Sequence, residues 1–179
     1  QQTHQKWPLS MTWGKMEELV DDGLARSIGL SNYNMQIIYD LLTYCRIRPA
    51  VNQVELHPYL RQKQLTTWLH EQQIVPVAYC PIGRGDNAKV PVHVIDDPVI
   101  KELAEKYGKS EGAIALNWGL SQNHVIIPRS SKIERLRDNF EAASFTMSEE
   151  DVEKINQLDR AFRCVDGMRA LTVKLPVFA

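Results

Sequence analysis

The chain has 179 residues, of which 44% are hydrophobic and 24% charged, and its net charge is −1. That length is enough for one domain with a sizeable core, and the composition is ordinary for a globular protein. The near-zero charge gives no basic field to recruit nucleic acid or anionic membrane, and no apolar run approaches the ~20 residues of a membrane span.

In chain order, "TWGKMEELVDDG" has helical spacing, with Trp13, Met16, Leu19 and Val20 on one face and Gly23 suited to the helix end. "ARSIGL" reads as a short buried strand and "MQIIYDLLTYC" as a second helix. "PAVNQVEL" is β-rich, "RQKQLTTWLHEQQ" is an amphipathic helix, and "IVPVAYCPI" is a strand closed by the turn-forming run "GRGDN". "DDPVIKELAEKYG" carries an N-cap aspartate, a proline at the first helical position and a closing glycine. Ser110 caps "EGAIALNWGLSQ", "HVIIP" is the fourth strand, and "IERLRDNFEAA" is the helix after it. "SEEDVEKINQLD" is a last helix, capped by Ser148 with acids in its first turn, and the tail beyond Arg160 has no clear period. Strictly alternating strands and helices predict a parallel sheet with crossover helices, in a single domain over residues 1–179.

Cys45, Cys80 and Cys164 stand far apart and match neither a disulfide framework nor a Cys-x-x-Cys metal pair, which predicts thiols in a reducing cytoplasm and no metal. No charged-then-apolar leader is present. The first residue is Gln1, as expected of a processed product or a piece of something longer.

The stretch "VIIPRSSKIERLRDNF" places Arg129, Ser130, Ser131, Lys132 and Arg135 where a strand hands over to a helix. Backbone N–H groups, the helix dipole, hydroxyls and guanidinium forks at one spot suit a phosphate. A solvated basic loop capped by serine explains the same residues. At the other strand ends stand Ser31 and Asn32, then Asn52 and Gln53, then Tyr79, Cys80 and Pro81. Amide and hydroxyl groups with one aromatic suit an amide and a flat ring better than a metal. Singly, each reads as well as a turn or core residue. With a phosphate loop they describe a dinucleotide lying across the mouth of a barrel.

"GLSNYN", "VNQVELHPY", "VAYCPIGRG" and "IIPRSSKIERLRDNF", in that order, resemble the aldo-keto reductase family over about Thr12 to Asp166. The resemblance implies the C-terminal half of a (β/α)8 barrel, strands five to eight, in an enzyme that reduces aldehydes and ketones with NADPH. It implies that Ser31, Asn32 and Gln53 hold the nicotinamide carboxamide and that Tyr79 stacks on its ring. Cys80, Pro81, Ile82 and the loop to Gly85 would lie along the pyrophosphate. Arg129, Ser130, Ser131 and Arg135 would surround the 2′-phosphate, and Asp138 and Asn139 would bind adenine. The family commonly has lysine at Arg129 and serine at Cys80.

The family's chemistry also uses a tyrosine acid, a lysine, an aspartate and a histidine. The first three belong to an N-terminal half that is not found here, and Lys6 occupies the histidine's place in "HQKWP". No catalytic residue is therefore assigned. Tyr33, Tyr39, Tyr44 and Tyr107 read as packing residues, and Tyr59 and His57 as part of a non-catalytic stretch. The expectation is a reductase of small carbonyl substrates whose missing half, or a second chain, completes the barrel. The alternative is a truncated, inactive NADPH-binding or scaffold protein. A Schiff-base aldolase would need a buried strand-end lysine, and a hydrolase a second glycine in "GLSNY"; neither is present.

Overall fold

The computed structural model describes residues 7–84 and 93–165. They form two compact units, residues 7–53 with 64–76, and residues 54–63 with 77–84 and 93–165.

In the first unit, helix α1 (Leu9–Asp21) buries Trp13, whose indole Nε1–H donates to the carbonyl of Ile47 at 2.9 Å. Met16 and Val20 join the same core, but Leu19 is exposed. At 100° per residue Leu19 lies about 120° from Trp13, off the buried stripe. Gly23 follows the helix with φ of 69°, the left-handed conformation expected of it. Helix α2 (Met35–Tyr44) is capped by Asn34, whose side chain accepts from the Ile37 N–H at 2.9 Å, and it buries Ile38 and Leu41. Helix α3 (Lys63–Glu71) contributes Leu69. These side chains pack with Ile28, Leu30 and Ile74.

The strands are β1 (Leu30–Ser31), β2 (Val51–Glu55), β3 (Val75–Tyr79), β4 (Pro81–Arg84) and β5 (Val125–Ile126). The sheet order is β1-β2-β3-β5. β1 runs parallel to β2 with Leu30 opposite Asn52 and Ser31 opposite Gln53, and β3 runs parallel to β5 with Val77 opposite Val125. "IVPVAYCPI" is two strands rather than the one expected. Cys80 has φ of 50°, and Pro81 fixes its own φ and lacks an N–H, so the ladder breaks between Tyr79 and Pro81.

The second unit is built round helix α5 (Glu111–Ser121), which buries every residue from Ala113 to Gly119. A helix apolar on all sides must be covered on all sides. Helix α4 (Pro98–Tyr107) supplies Ile100 and Leu103, and helix α7 (Glu149–Asn156) supplies Ile155. A short 3-10 turn (Val94–Asp96) adds Val94. The Asp97, Ser110 and Ser148 caps form as the sequence predicts, each side chain accepting a first-turn N–H. Helix α6 (Ile133–Glu141) buries none of its residues.

Candidate cofactor site

Ser31, Asn32 and Gln53 meet at the strand ends of the first unit. Parallel pairing sets Ser31 beside Gln53, and the Asn32 N–H donates to the Gln53 carbonyl at 2.9 Å. Asn32 has φ of 62°, a conformation Asn tolerates better than most residues, and its Nδ2 donates to Ser31 Oγ at 3.1 Å. Ser31 and Asn32 are exposed and Gln53 is half-buried, so the three present hydroxyl and amide groups along an open strand end. Asn52 points the other way, as alternation in a strand requires. It is buried, and its Nδ2 donates to the Tyr33 carbonyl at 2.9 Å, which makes it a clamp on the turn after β1.

In the second unit Tyr79 closes β3, half-buried. Behind it the Gly83 N–H donates to the Cys80 carbonyl at 2.7 Å, closing a tight turn with positive φ at both ends, Cys80 and Gly83. Pro81 is buried, and Ile82 packs into the core clusters. Gly85 lies outside the described residues.

The basic loop sits at the start of α6. Arg129, Ser131 and Arg135 are exposed and Ser130 is half-buried, while Asp138 and Asn139 follow on the second turn. The N-cap residue is Lys132, not a serine, and its side chain makes no cap bond. Ser130 Oγ instead accepts from the Lys132 N–H at 3.1 Å, folding the loop one step before the helix. Serine therefore does not cap this helix, although the basic residues of the loop are solvent-exposed, as in a solvated basic loop. The helix's first-turn N–H groups receive no bond from the N-cap side chain, which is the arrangement an anion can use.

Two of the tyrosines read as packing residues are not buried: Tyr39 and Tyr44 are exposed on α2. Tyr107 does have a structural task, donating to Asp151 Oδ2 at 2.6 Å. Tyr59 is buried, donates to Asp97 Oδ2 at 2.7 Å, and lies under the Arg160 guanidinium at 4.2 Å from its ring centre. Burial first, and then Asp97, raise its hydroxyl pKa far above the usual phenol value.

Residues 2–160 match the profile of the Aldo/keto reductase family. The chain belongs to the aldo/keto reductase family. Among its relatives, the NADP-dependent D-sorbitol-6-phosphate dehydrogenase of Malus domestica is 42% identical over 158 residues, 87% of this chain and 51% of that protein. An NAD(P)H-dependent D-xylose reductase of Pyricularia oryzae is 39% identical over 165 residues, 88% of this chain and 51% of that one. Among solved structures, the aldo-keto reductase of the silkworm Bombyx mori superposes with a TM-score of 0.86 at 32% identity, covering 91% of this chain and 51% of that one. This aldo/keto reductase chain thus spans about half the length of the relatives it matches. Its parallel strands and crossover helices are half of the family's (β/α)8 barrel.

One cluster in this aldo/keto reductase chain had no signal in the sequence. Glu55 and His57 lie two residues apart in "VELHP", both buried, and His57 Nε2 stands 2.8 Å from Glu55 Oε1. Cys164, 107 positions further along, brings its Sγ to 3.6 Å from the same Nε2. The N–H groups of Cys164 and Val165 donate to the two Glu55 oxygens at 2.6 and 2.9 Å. Burial pushes the Glu55 carboxyl pKa up, but hydrogen bonds from His57 and the two backbone N–H groups outweigh it and hold the pKa below the usual range. Glu55 is therefore the acceptor and His57 Nε2–H the donor. His57 Nδ1 is buried and has no hydrogen-bond partner.

Proposed function

We propose that this chain is the cofactor-holding part of an NADP(H)-dependent aldo/keto reductase that reduces a small aldehyde or ketone to an alcohol. Family membership carries this proposal, and its relatives, a sorbitol-6-phosphate dehydrogenase and a xylose reductase, favour a sugar or polyol carbonyl as substrate. The dinucleotide supplies the hydride when bound. Ser31, Asn32 and Gln53 orient its carboxamide, which fixes the face the nicotinamide presents. Tyr79 packs against the ring. The turn from Cys80 through Pro81 and Ile82 to Gly85 follows the pyrophosphate.

Arg129, Ser130, Ser131 and Arg135 take the 2′-phosphate, and Asp138 and Asn139 the adenine. The uncapped start of α6 and the exposed guanidiniums beside it support that assignment. We take the 179 residues as one partial domain of a cytoplasmic enzyme, completed by an N-terminal half or a second chain. Among the described residues, no helix is long and apolar enough to cross a membrane.

The test is NADPH and NADH binding, followed by quenching of protein fluorescence. Arg135→Ala should weaken NADPH about ten- to a hundredfold, the strength of one or two charge-assisted hydrogen bonds, and leave NADH little changed. Equal weakening of both would remove the 2′-phosphate assignment. A native chain that binds neither nucleotide would remove the cofactor role.

A further inference from the structure

Glu55, His57 and Cys164 present a carboxylate oxygen, an imidazole nitrogen and a sulfur within 4.8 Å of one another, all within the second unit. These are the three ligand types that zinc takes from proteins. We propose that they form a binding site for a thiophilic divalent cation, Zn2+, which clips the C-terminal segment at Cys164 to the last residue of β2, Glu55, and to His57 just beyond it.

The geometry separates this from a nucleophile relay. In a relay the base uses one ring nitrogen for the thiol and the other for the carboxylate. Here Glu55 Oε1 and Cys164 Sγ both address Nε2, while Nδ1 has no partner. Three ligand atoms gathered within 4.8 Å of one another suit a shared cation better than proton transfer along a line.

The spacing is close to what the ion needs. Bonds of 2.0–2.3 Å at tetrahedral angles set ligand atoms about 3.3–3.7 Å apart. The Nε2 to Sγ distance of 3.6 Å already fits. The Nε2 to Oε1 distance of 2.8 Å is that of a hydrogen bond and must open by about half an ångström when the proton leaves. The Glu55 carboxylate is held from behind by the Cys164 and Val165 N–H groups, the outer-shell support that orients metal-bound carboxylates. Cys164 is half-buried rather than sealed in the core, and a site with three protein ligands takes water as its fourth.

The protons balance simply. The Cys164 thiol loses its proton to solvent and binds as thiolate. The His57 ring gives up the proton on Nε2, carries one on Nδ1 instead, and binds through Nε2. Nδ1 is unmatched before and after, so the shift there forfeits no hydrogen bond. The bond given up is Nε2–H to Glu55, replaced by two bonds to the ion. The Arg163 guanidinium, which donates to Gln62 Oε1 at 3.0 Å, adds positive charge beside Glu55 and holds the affinity below that of a four-ligand structural site.

The experiment uses the 179-residue chain, stripped with a chelator. Zn2+ is titrated against a chromophoric competitor, and Co2+ serves as a spectroscopic stand-in. One equivalent of Zn2+ should bind with a Kd of about a micromolar or tighter, and Co2+ should give a thiolate charge-transfer band. Cys164→Ser should abolish that band and weaken Zn2+ at least about tenfold, whereas Cys45→Ser should leave both unchanged. His57→Gln should weaken Zn2+ as well. The proposal is overturned if Zn2+ fails to compete in the native chain, or if the band and the affinity survive Cys164→Ser.

Discussion

Asp151 is buried on α7 and accepts from Lys106 Nζ at 2.6 Å, Tyr107 Oη at 2.6 Å and Ser148 Oγ at 2.9 Å, with Lys154 Nζ at 3.3 Å. Lys106 is the largest cause, followed by Tyr107, of a carboxyl pKa held well below the usual range. A carboxylate whose pKa is depressed by folding contributes stability above its unfolded value of about 3.9 and loses that contribution as pH falls through the folded value. Unfolding free energy, followed by urea titration, should therefore drop more steeply below about pH 4 in the native chain than in Asp151→Asn. Parallel pH curves for the two would mean that the donors round Asp151 do not favour its charged form. Tyr59→Phe tests a neutral donor instead. It removes the hydroxyl bond to Asp97 but leaves Arg160, which donates to the same oxygen at 3.1 Å. The expected loss is about 1–2 kcal/mol, read as a lower urea midpoint at unchanged slope. Neither cluster was legible in the sequence. Tyr59 and Asp97 are 38 positions apart and Lys106 and Asp151 are 45, and no local period links such pairs. The meeting of Ser31, Asn32 and Gln53 at one strand end was legible because parallel pairing brings strand ends together whatever separates them in sequence.

The elements were legible where one local rule decides them. Asn34, Asp97, Ser110 and Ser148 each accept a first-turn N–H, a bond that depends only on three or four consecutive residues, and three of these caps were expected. The strands were harder to bound, since β1 and β5 are two residues each and their limits depend on neighbours distant in sequence. Gly29, just before β1, shows what that pairing demands. A Cβ there would collide with Val51 Cγ2 and stand 3.0 Å from the Val51 carbonyl oxygen. The β-branched Val51 side chain has little freedom to turn away, and the backbone oxygen has none. Gly29→Ala should therefore cost about 1–3 kcal/mol in a denaturant titration, although alanine is normally the better residue for an ordered chain. A neutral or stabilising result would show that β1 can move away from β2 at no penalty.

At the scale of the whole molecule, apolar surface is the outstanding physical feature. Strands β1 and β5 stand at the two ends of the sheet order. On the second unit Val125 and Ile127 are exposed, and on helix α6 Ile133 is 63% and Phe140 87% exposed, with Leu136, also exposed, between them in sequence. Positions 133, 136 and 140 share one helix face, so α6 carries an amphipathic stripe with none of its residues buried. Apolar groups gathered in this way lower the free energy of association with any matching surface, and strands at the ends of a sheet order among the described residues can add backbone donors and acceptors. The chain by itself should therefore self-associate. Sedimentation velocity from about 1 to 100 μM, the range in which weak protein contacts populate, should show the mean mass rising above 20.5 kDa with concentration. Leu136→Glu combined with Phe140→Glu should move that rise to higher concentration, because two charges would have to be desolvated on the contacting face. Nothing else in the core should respond, since neither side chain is buried. A constant 20.5 kDa across the whole range would mean that water covers this stripe at tolerable cost, and the expectation would fail.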